Sequence, residues 1–515
     1  MEKSGKPKQE KSNKAANKIN EDKFSFLLPY INVFLFITVL FIIVYKAGLQ
    51  REIDLIQGAM FVSILCLFGA TGLQAVKKGF SWRFAVKLFL GIGFIMRIGY
   101  MLYTPYTTRA IDLGDTALDG YGHAAYILKI MVNGHLPETN WVQFYHPPLF
   151  HFLAACLCLA VNSLMNYTAY QDILEIAKII SCVASCWSLM LMPKICTELG
   201  LNEGTKAVAT AIIAVLPSCY LMSARVNNDS LVTYFMILAI LYTLRWYKEQ
   251  SWKNTIGLGL AFGLGMMTKT SCGNIALFTG PLMLYVVYKR RKESKDALKE
   301  MAMKLFGFGA IAFPLGLWYT LRNYILFQQP FGYVVRIKES LRIYTGDVSW
   351  VKRFITFPVS RLFHPIYSDP WEEYNISLFV LKSSLFSEFK FKITPIIPKL
   401  LIFFNGCMII LSLAAMVYVI VKCKKNKMLS LGMPVLWGVI YSTFLYFNVE
   451  YPFGCTMDFR YIVPTAFLGA IFIGKCFDQI GSKKTRKALI YRIVMGTIIG
   501  GFGIISIFMF CMIGK

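Results

Sequence analysis

Charge is scarce in this sequence. Asp, Glu, Lys and Arg make up 16% of its 515 residues, apolar residues make up 56%, and the mean hydropathy is positive. That shortage excludes an ordinary water-soluble globular domain, in which about a quarter of the chain is charged. Acidic residues are the rarer sign: 28 stand against 54 Lys and Arg, for a formal net charge of +26. In a soluble protein this excess would suggest nucleic acid, but in a chain of many apolar runs it is what basic cytoplasmic loops produce, and no nucleic-acid role is inferred. The paired Cys-x-x-Cys spacing of a zinc site is also missing. Most of the thirteen cysteines, among them Cys156, Cys158, Cys182, Cys186, Cys219 and Cys407, lie inside apolar runs and read as small apolar residues of helix interiors, leaving Cys455 in an expected outer loop without an obvious partner. No strand precedes Gly257-Leu-Gly259 or Gly263-Leu-Gly265, so these glycines lack the context of a nucleotide-binding turn and mark close helix contact instead.

What the chain has in abundance is apolar runs of about 20 residues, the length that crosses a bilayer. The first, 24–45, follows a lysine-rich tail but is too long for a signal-peptide core and has no small-residue cleavage site after it. About fourteen candidate runs follow one another, near 24–45, 53–76, 84–104, 148–166, 174–196, 205–222, 230–247, 255–270, 272–288, 303–321, 398–421, 429–448, 461–479 and 491–513. Basic clusters at the N-terminal tail, Lys77-Lys78, Arg245 to Lys253, Lys289 to Lys292, Lys422 to Lys427 and Lys483 to Lys487 mark the cytoplasmic side. Residue 147 must then be outside and Arg245 inside, so one of the four runs between them does not cross. The run 148–166 is the first suspect, since it opens on Pro147-Pro148 and carries His151 in its first turn. The expected fold is an all-α polytopic membrane protein of about thirteen transmembrane helices, with outer loops and juxtamembrane helices. It divides into a cytoplasmic tail (1–23), three N-terminal spans (24–104), a first outer loop (105–147), a transmembrane core (148–321), a large outer loop (322–397) and C-terminal spans (398–515), with the C-terminus outside.

Transporters carry ionisable residues near the middle of their spans. Here Asp112, Asp115, Asp119, His123, His146, Arg225, Asp229, Lys269, Arg322, Asp458 and Arg460 collect at the outer helix ends and loops, with Arg97 the exception. The first outer loop is the richest, running Asp112-Leu-Gly-Asp115-Thr-Ala-Leu-Asp119-Gly-Tyr-Gly-His123-Ala-Ala-Tyr126 and on to Tyr145-His146-Pro147-Pro148. If the stretch after Asp119 is helical, Asp119 and His123 share a face, where they can accept a proton or hold a divalent cation; equally, Asp119 can cap a helix starting near Gly120. Nothing in the spacing supports a metal site further, and no cofactor is implied. Arg225, Lys269, Arg322 and Arg460 come from four distant parts of the chain to one membrane boundary. Each alone reads as snorkelling, but four on the side poor in positive charge favour a shared phosphate site. Asn227-Asn228-Asp229 reads equally as a turn before the next helix and as a substrate contact.

In these motifs the chain resembles the polytopic GT-C glycosyltransferases, in particular the family 39 group that includes the protein O-mannosyltransferases and the lipid A aminoarabinose transferase. The resemblance runs over most of 84–480. It rests on Asp119 with His123 and Tyr126, Asn133-Gly134 to Pro137, Tyr145-His146-Pro147-Pro148-Leu149, Arg225-Val-Asn-Asn-Asp229, Thr268-Lys269-Thr270-Ser271, Trp318 to Asn323, and Asp458-Phe-Arg460-Tyr461. It implies a sugar donor on polyprenyl phosphate (undecaprenyl or dolichyl), consumed at the outer face of the cell membrane, with an unidentified protein or cell-envelope glycan as acceptor. It also implies a mannosyltransferase-like inverting transfer in which Asp119 is the base and Arg225, Lys269, Arg322 and Arg460 hold the phosphate. Asp115, His123, Tyr126, His146, Asp229 and Asp458 complete the candidate site. The chain departs from the family in having Gly120 where many members carry a second acid, and two extra spans before the motif loop. The rival expectation is a lipid-linked glycan flippase or polymer exporter, which would require a charged central cavity.

Overall fold

A computed structural model describes residues 27–335, 337–364, 374–481 and 485–513. The tail 1–23, Trp371, Glu372, Glu373 and Lys483-Lys484 lie outside the described residues. The helices in chain order are α1 Leu27–Lys46, α2 Ile53–Lys78, α3 Trp82–Tyr103, α4 Gly122–Asn133, α5 Leu149–Met165, α6 Tyr170–Glu198, α7 Glu203–Ala214, α8 Pro217–Leu221, α9 Asp229–Lys248, α10 Trp252–Thr268, α11 Ala276–Arg290, α12 Lys295–Phe327, α13 Ile376–Phe386, α14 Ile396–Lys422, α15 Met433–Glu450, α16 Val463–Gly481 and α17 Arg486–Phe510. Among the described residues the one β feature is an isolated bridge between Tyr344 and Phe453. An all-helical bundle follows from the solvent, because a lipid-exposed backbone must bond within its own segment.

Eleven segments are long and apolar enough to cross a membrane, and twelve if α7 and α8, bent by 56°, count as one. The count is below the expected thirteen because two of the fourteen apolar runs, α5 and α10, have 17 residues each. They differ in how they lie. α10 runs antiparallel to α9 over nearly its whole length: Trp246 Nε1 donates to Thr255 Oγ1 (3.1 Å) near one end, and Asn228 Nδ2 to the Thr268 carbonyl (3.1 Å) at the other. Its glycines permit this fit, since a Cβ on Gly257 would fall 2.1 Å from the Tyr242 ring. α5 stays at one end. It starts beside α4, where His151 meets His123 at 2.8 Å, and turns back into the first turns of α6, where Cys158 Sγ reaches the Ile173 carbonyl (3.4 Å) and Glu175 accepts from the Tyr106 amide (3.1 Å).

Two ends are therefore distinct. At the basic end, Glu198 pairs with Arg245 (3.0 Å) and Lys248 (3.0 Å), and Asn426 donates to the Leu199 carbonyl (2.7 Å). At the loop end lie 104–121, 225–228, Lys269, the described parts of the large loop (328–335 and 337–364) and 451–460. The Tyr344–Phe453 bridge, with Thr345 N–H to the Pro452 carbonyl at 2.7 Å, ties the large loop to 451–460.

The innermost helices carry the charges of the bundle interior, and each charge satisfies carbonyls freed by a helix end. Pro217 has no N–H for the Ile213 carbonyl four residues earlier, and the bend removes the partner of Ala214. Buried Arg97 on α3 supplies both, bonding the Ile213 (3.0 Å) and Ala214 (3.2 Å) carbonyls and Ser185 Oγ (3.0 Å). Lys178 on α6, ion-paired with Glu175 one turn earlier, does the same for the end of α3, donating to the Met101 (3.1 Å) and Thr104 (2.7 Å) carbonyls and to Tyr45 (3.0 Å). The bend matters functionally because the chain leaves α8 and reaches Arg225 four residues later.

Candidate active site

The acidic loop reaches the bundle as a pinched Ω. The His123 and Ala124 amides donate to the Asp112 (3.2 Å) and Leu113 (3.0 Å) carbonyls, and the Asp115 amide to the Tyr121 carbonyl (2.8 Å), so residues 112–115 lie against 121–124. Two glycines with positive φ make this crossing possible: Gly114 (φ 71°) and Gly122 (φ 98°) approach so closely that a Cβ on Gly122 would stand 2.4 Å from the Gly114 Cα. The pinch separates the three aspartates. Asp112 stays at the base, facing the bundle, whereas Asp115 and Asp119 ride on the exposed tip. α4 begins at Gly122 with Tyr121 before it and no side-chain cap, so Asp119 neither shares a helical face with His123 nor caps the helix. Among the described residues no hydrogen bond or ion pair ties Asp119 to its surroundings.

Beneath Asp112 the cationic residues meet. Asp229, the first residue of α9, pairs with Lys269 Nζ through Oδ1 (2.6 Å) and lies 3.7 Å from Arg460 Nε through Oδ2. Arg460 Nη2 lies 3.6 Å from Asp112 Oδ2 and donates to the Tyr461 hydroxyl (3.0 Å). Both carboxylates thus stand outside hydrogen-bond range of Arg460, and its buried Nε and Nη1 have no hydrogen-bond partner. Arg225 repeats the pattern: its Nε bonds the Arg109 carbonyl (3.2 Å), its guanidinium stacks over Phe389 (5.3 Å), and its buried Nη2 is unpartnered. A buried donor left unbonded costs about 1–3 kcal/mol, so three of them facing one region point to an anion that completes the site. Asp458 has a different task. Its Oδ1 accepts from the Arg460 amide (2.8 Å) and its Oδ2 from Ser387 (2.8 Å), which fixes the turn that presents Arg460.

The histidines and tyrosines form a second layer. His123 Nδ1 meets His151 Nε2 at 2.8 Å, His123 stacks on His146 (5.7 Å between centroids), and Tyr126 bonds Tyr319 (2.9 Å), which bonds the Phe144 carbonyl (2.7 Å). Burial pushes His123 down to about 4 and His146 well below its ordinary value, so both are neutral at pH 7 and add no cation to the anion site. Arg322 stands apart from the other three cations: it bonds the Pro137 carbonyl (2.9 Å) and Asn323 (2.9 Å) and packs on Tyr319. The four-cation cluster expected from the sequence is, in these contacts, a three-cation cluster.

Residues 146–318 match the family model described as dolichyl-phosphate-mannose-protein mannosyltransferase. The matched stretch is about a third of the chain and contains Arg225, Asp229 and Lys269, so the resemblance carried by the sequence motifs holds there. Two solved structures of the Archaeoglobus fulgidus oligosaccharyltransferase are also similar. The apo form has a TM-score of 0.48 at 12% identity, over 84% of this chain and 56% of that one. The form with zinc and sulfate has a TM-score of 0.43 at 11% identity, over 84% and 53%. The chain therefore spans a little over half the length of the solved proteins it matches. No curated protein matches the sequence.

Two carboxylates in the cluster escaped the candidate set drawn from sequence. Asp112 was one acid among several in its loop, and only the glycine pinch distinguishes it. Glu388 lies in the large loop, within an aromatic stretch. Its Oε1 is buried without a partner, and burial beside Asp458 and Asp112 pushes it up to about 7 despite Arg460 and Arg225 nearby. Among the described residues no three His, Cys, Asp or Glu side chains converge as a metal-binding group.

Proposed function

We propose that the chain is an inverting glycosyltransferase that moves a mannose-type sugar from a polyprenyl-phosphate carrier to an acceptor hydroxyl at the outer face of the cell membrane. The observation that carries this reading is the set of buried, unpartnered donors on Arg460 and Arg225, beside Lys269, at a bundle end. The acceptor oxygen attacks the anomeric carbon, the bond from that carbon to the phosphate oxygen breaks, and the hydroxyl proton passes to a carboxylate. The diester phosphate carries one negative charge before reaction and the departing monoester carries two, so the transition state gains most from fixed cations at the phosphate. Arg460 and Arg225 supply guanidinium donors, and Lys269 a point charge held by Asp229.

We assign the base to Asp112 rather than Asp119. Asp112 stands 3.6 Å from the arginine that would hold the leaving phosphate, and it keeps an exposed edge toward the acceptor side. An apolar cavity of about 350 Å³, with Phe459, Ile462, Leu381, Met408 and Phe502 in its walls, opens next to the Arg460 turn and suits the polyprenyl tail. A flippase reading fits less well, since the charges of the bundle interior, Arg97 and Lys178, are consumed in helix-end carbonyl bonds.

The direct test is turnover in proteoliposomes with labelled polyprenyl-phosphate mannose and an extract of membrane acceptors. The account expects release of polyprenyl phosphate matched by sugar transfer with inverted anomeric configuration, and none from a nucleotide sugar. Retained configuration, or transport of intact donor without transfer, would rule it out.

A further inference from the structure

A second cavity, of about 490 Å³, lies against the active site on the side of the large loop. Its walls include Phe363, Phe386, Phe389 and Phe391, and its rim carries Lys390 and Lys399. Both lysines are exposed and, among the described residues, neither side chain takes part in an ion pair or hydrogen bond. The position is between the end of α13 at Phe386 and the start of α14 at Ile396, a helix long and apolar enough to cross a membrane. The segment 386–391 is also the partition between cavity and site. Phe389 lies under the Arg225 guanidinium (5.3 Å) and Phe391 under that of Arg109 (5.0 Å), while the neighbouring Glu388 is in the electrostatic range of Arg460 and Asp112.

We propose that this cavity docks the acceptor, and that the acceptor is an anionic amphiphile, a lipid-borne phosphate or carboxylate. The aromatic walls take an apolar chain or ring system out of water, and the two unpaired lysines at the rim take its negative headgroup. A hydroxyl near that headgroup then comes past Phe389 to Asp112. The inference rests on the transferase reading, but its first test needs no turnover.

The purified full-length protein is titrated in detergent with phosphatidylglycerol, phosphatidylcholine of the same acyl chains, and glycerol 3-phosphate. The wild type should favour phosphatidylglycerol over phosphatidylcholine by about 5-fold, the scale of two exposed ion pairs. Lys390→Gln/Lys399→Gln should abolish that preference, and Arg460→Met should keep it. Equal binding of the two lipids, displacement of phosphatidylglycerol by glycerol 3-phosphate at equal concentration, or loss of the preference in Arg460→Met alone would each overturn the proposal. In turnover, the lysine pair variant should raise KM for acceptor and leave KM for donor unchanged. A raised donor KM instead would place the lysines at the donor and refute the assignment, while absence of any transfer by the wild type would refute the transferase reading and leave the lipid titration to judge the cavity.

Discussion

Replacing Arg460 by Met removes the group on which the site converges. The substitution keeps the aliphatic bulk of a buried side chain and deletes the guanidinium, including the two donors, Nε and Nη1, that have no hydrogen-bond partner within the protein. Asp229 retains Lys269 at 2.6 Å, so it is not stranded, and Asp112 is partly exposed, so water can serve it. The fold should survive, with a midpoint of thermal unfolding within a few degrees of the wild type. Activity should not. Loss of one preorganised donor at a developing negative charge typically costs 10²–10³ in kcat, about 3–4 kcal/mol. Sugar transfer from labelled polyprenyl-phosphate mannose, measured in proteoliposomes with melting followed in parallel, reads this directly. Arg460→Lys should recover part of the loss, because it restores a charge without the two-donor fork. A folded Arg460→Met protein with kcat/KM within about 3-fold of wild type, less than about 0.7 kcal/mol, would refute the assignment.

Gly122→Ala should cut transfer by about tenfold or more, since φ 98° and a Cβ 2.4 Å from Gly114 force the Asp112 loop open at a strain of about 1–2 kcal/mol. Gly134→Ala, at φ 70° but in open space, should leave kcat intact and serves as the control. Arg97→Met should lower the melting midpoint measurably, because it strands the Ile213 and Ala214 carbonyls at about 1–3 kcal/mol each; an unchanged midpoint would contradict the account of the α7–α8 bend. Glu388 faces Asp112, Asp458, Arg225 and Arg460, and its folded value of about 7 lies above the ordinary carboxylate value of 4.5. Its contribution to stability is therefore full below about pH 4.5 and lost as pH rises through about 7, so the stability difference between the wild type and Glu388→Gln should change across that window and be constant outside it.

Much of the architecture was legible because lipid leaves the backbone few choices: runs such as 27–46 and 396–422 announce themselves by length and apolarity alone. The count was less legible at α5 and α10, where 17 apolar residues read the same whether the helix crosses beside α9 or lies at one end. The convergence of Arg225, Lys269 and Arg460 was readable from their common position at helix ends. Arg322 shared that position, yet its partners are Pro137 and Asn323, a matter of helix rotation that hydropathy does not encode. Asp119 stood out because the resemblance makes it the base, while its spacing from His123 read equally as a helix cap near Gly120. The deciding feature was the contact of Gly114 with Gly122, eight positions apart, which no local pattern signals. Lys178 went unnoticed inside an apolar run, since besides Glu175 one turn earlier its partners, the Met101 and Thr104 carbonyls and Tyr45, come from other helices.

If catalysis occurs at the Arg460 site with Asp112 as the base, the two loop aspartates differ sharply in what they contribute. Comparing transfer by Asp112→Asn and Asp119→Asn, both in exposed loop positions and both expected to melt like the wild type, tests it most directly. A positioned base contributes about 10²–10⁴ in rate, so Asp112→Asn should lose at least about 100-fold in kcat while Asp119→Asn stays within about 3-fold. The reverse outcome, with Asp119→Asn inactive and Asp112→Asn near wild type, would contradict the account.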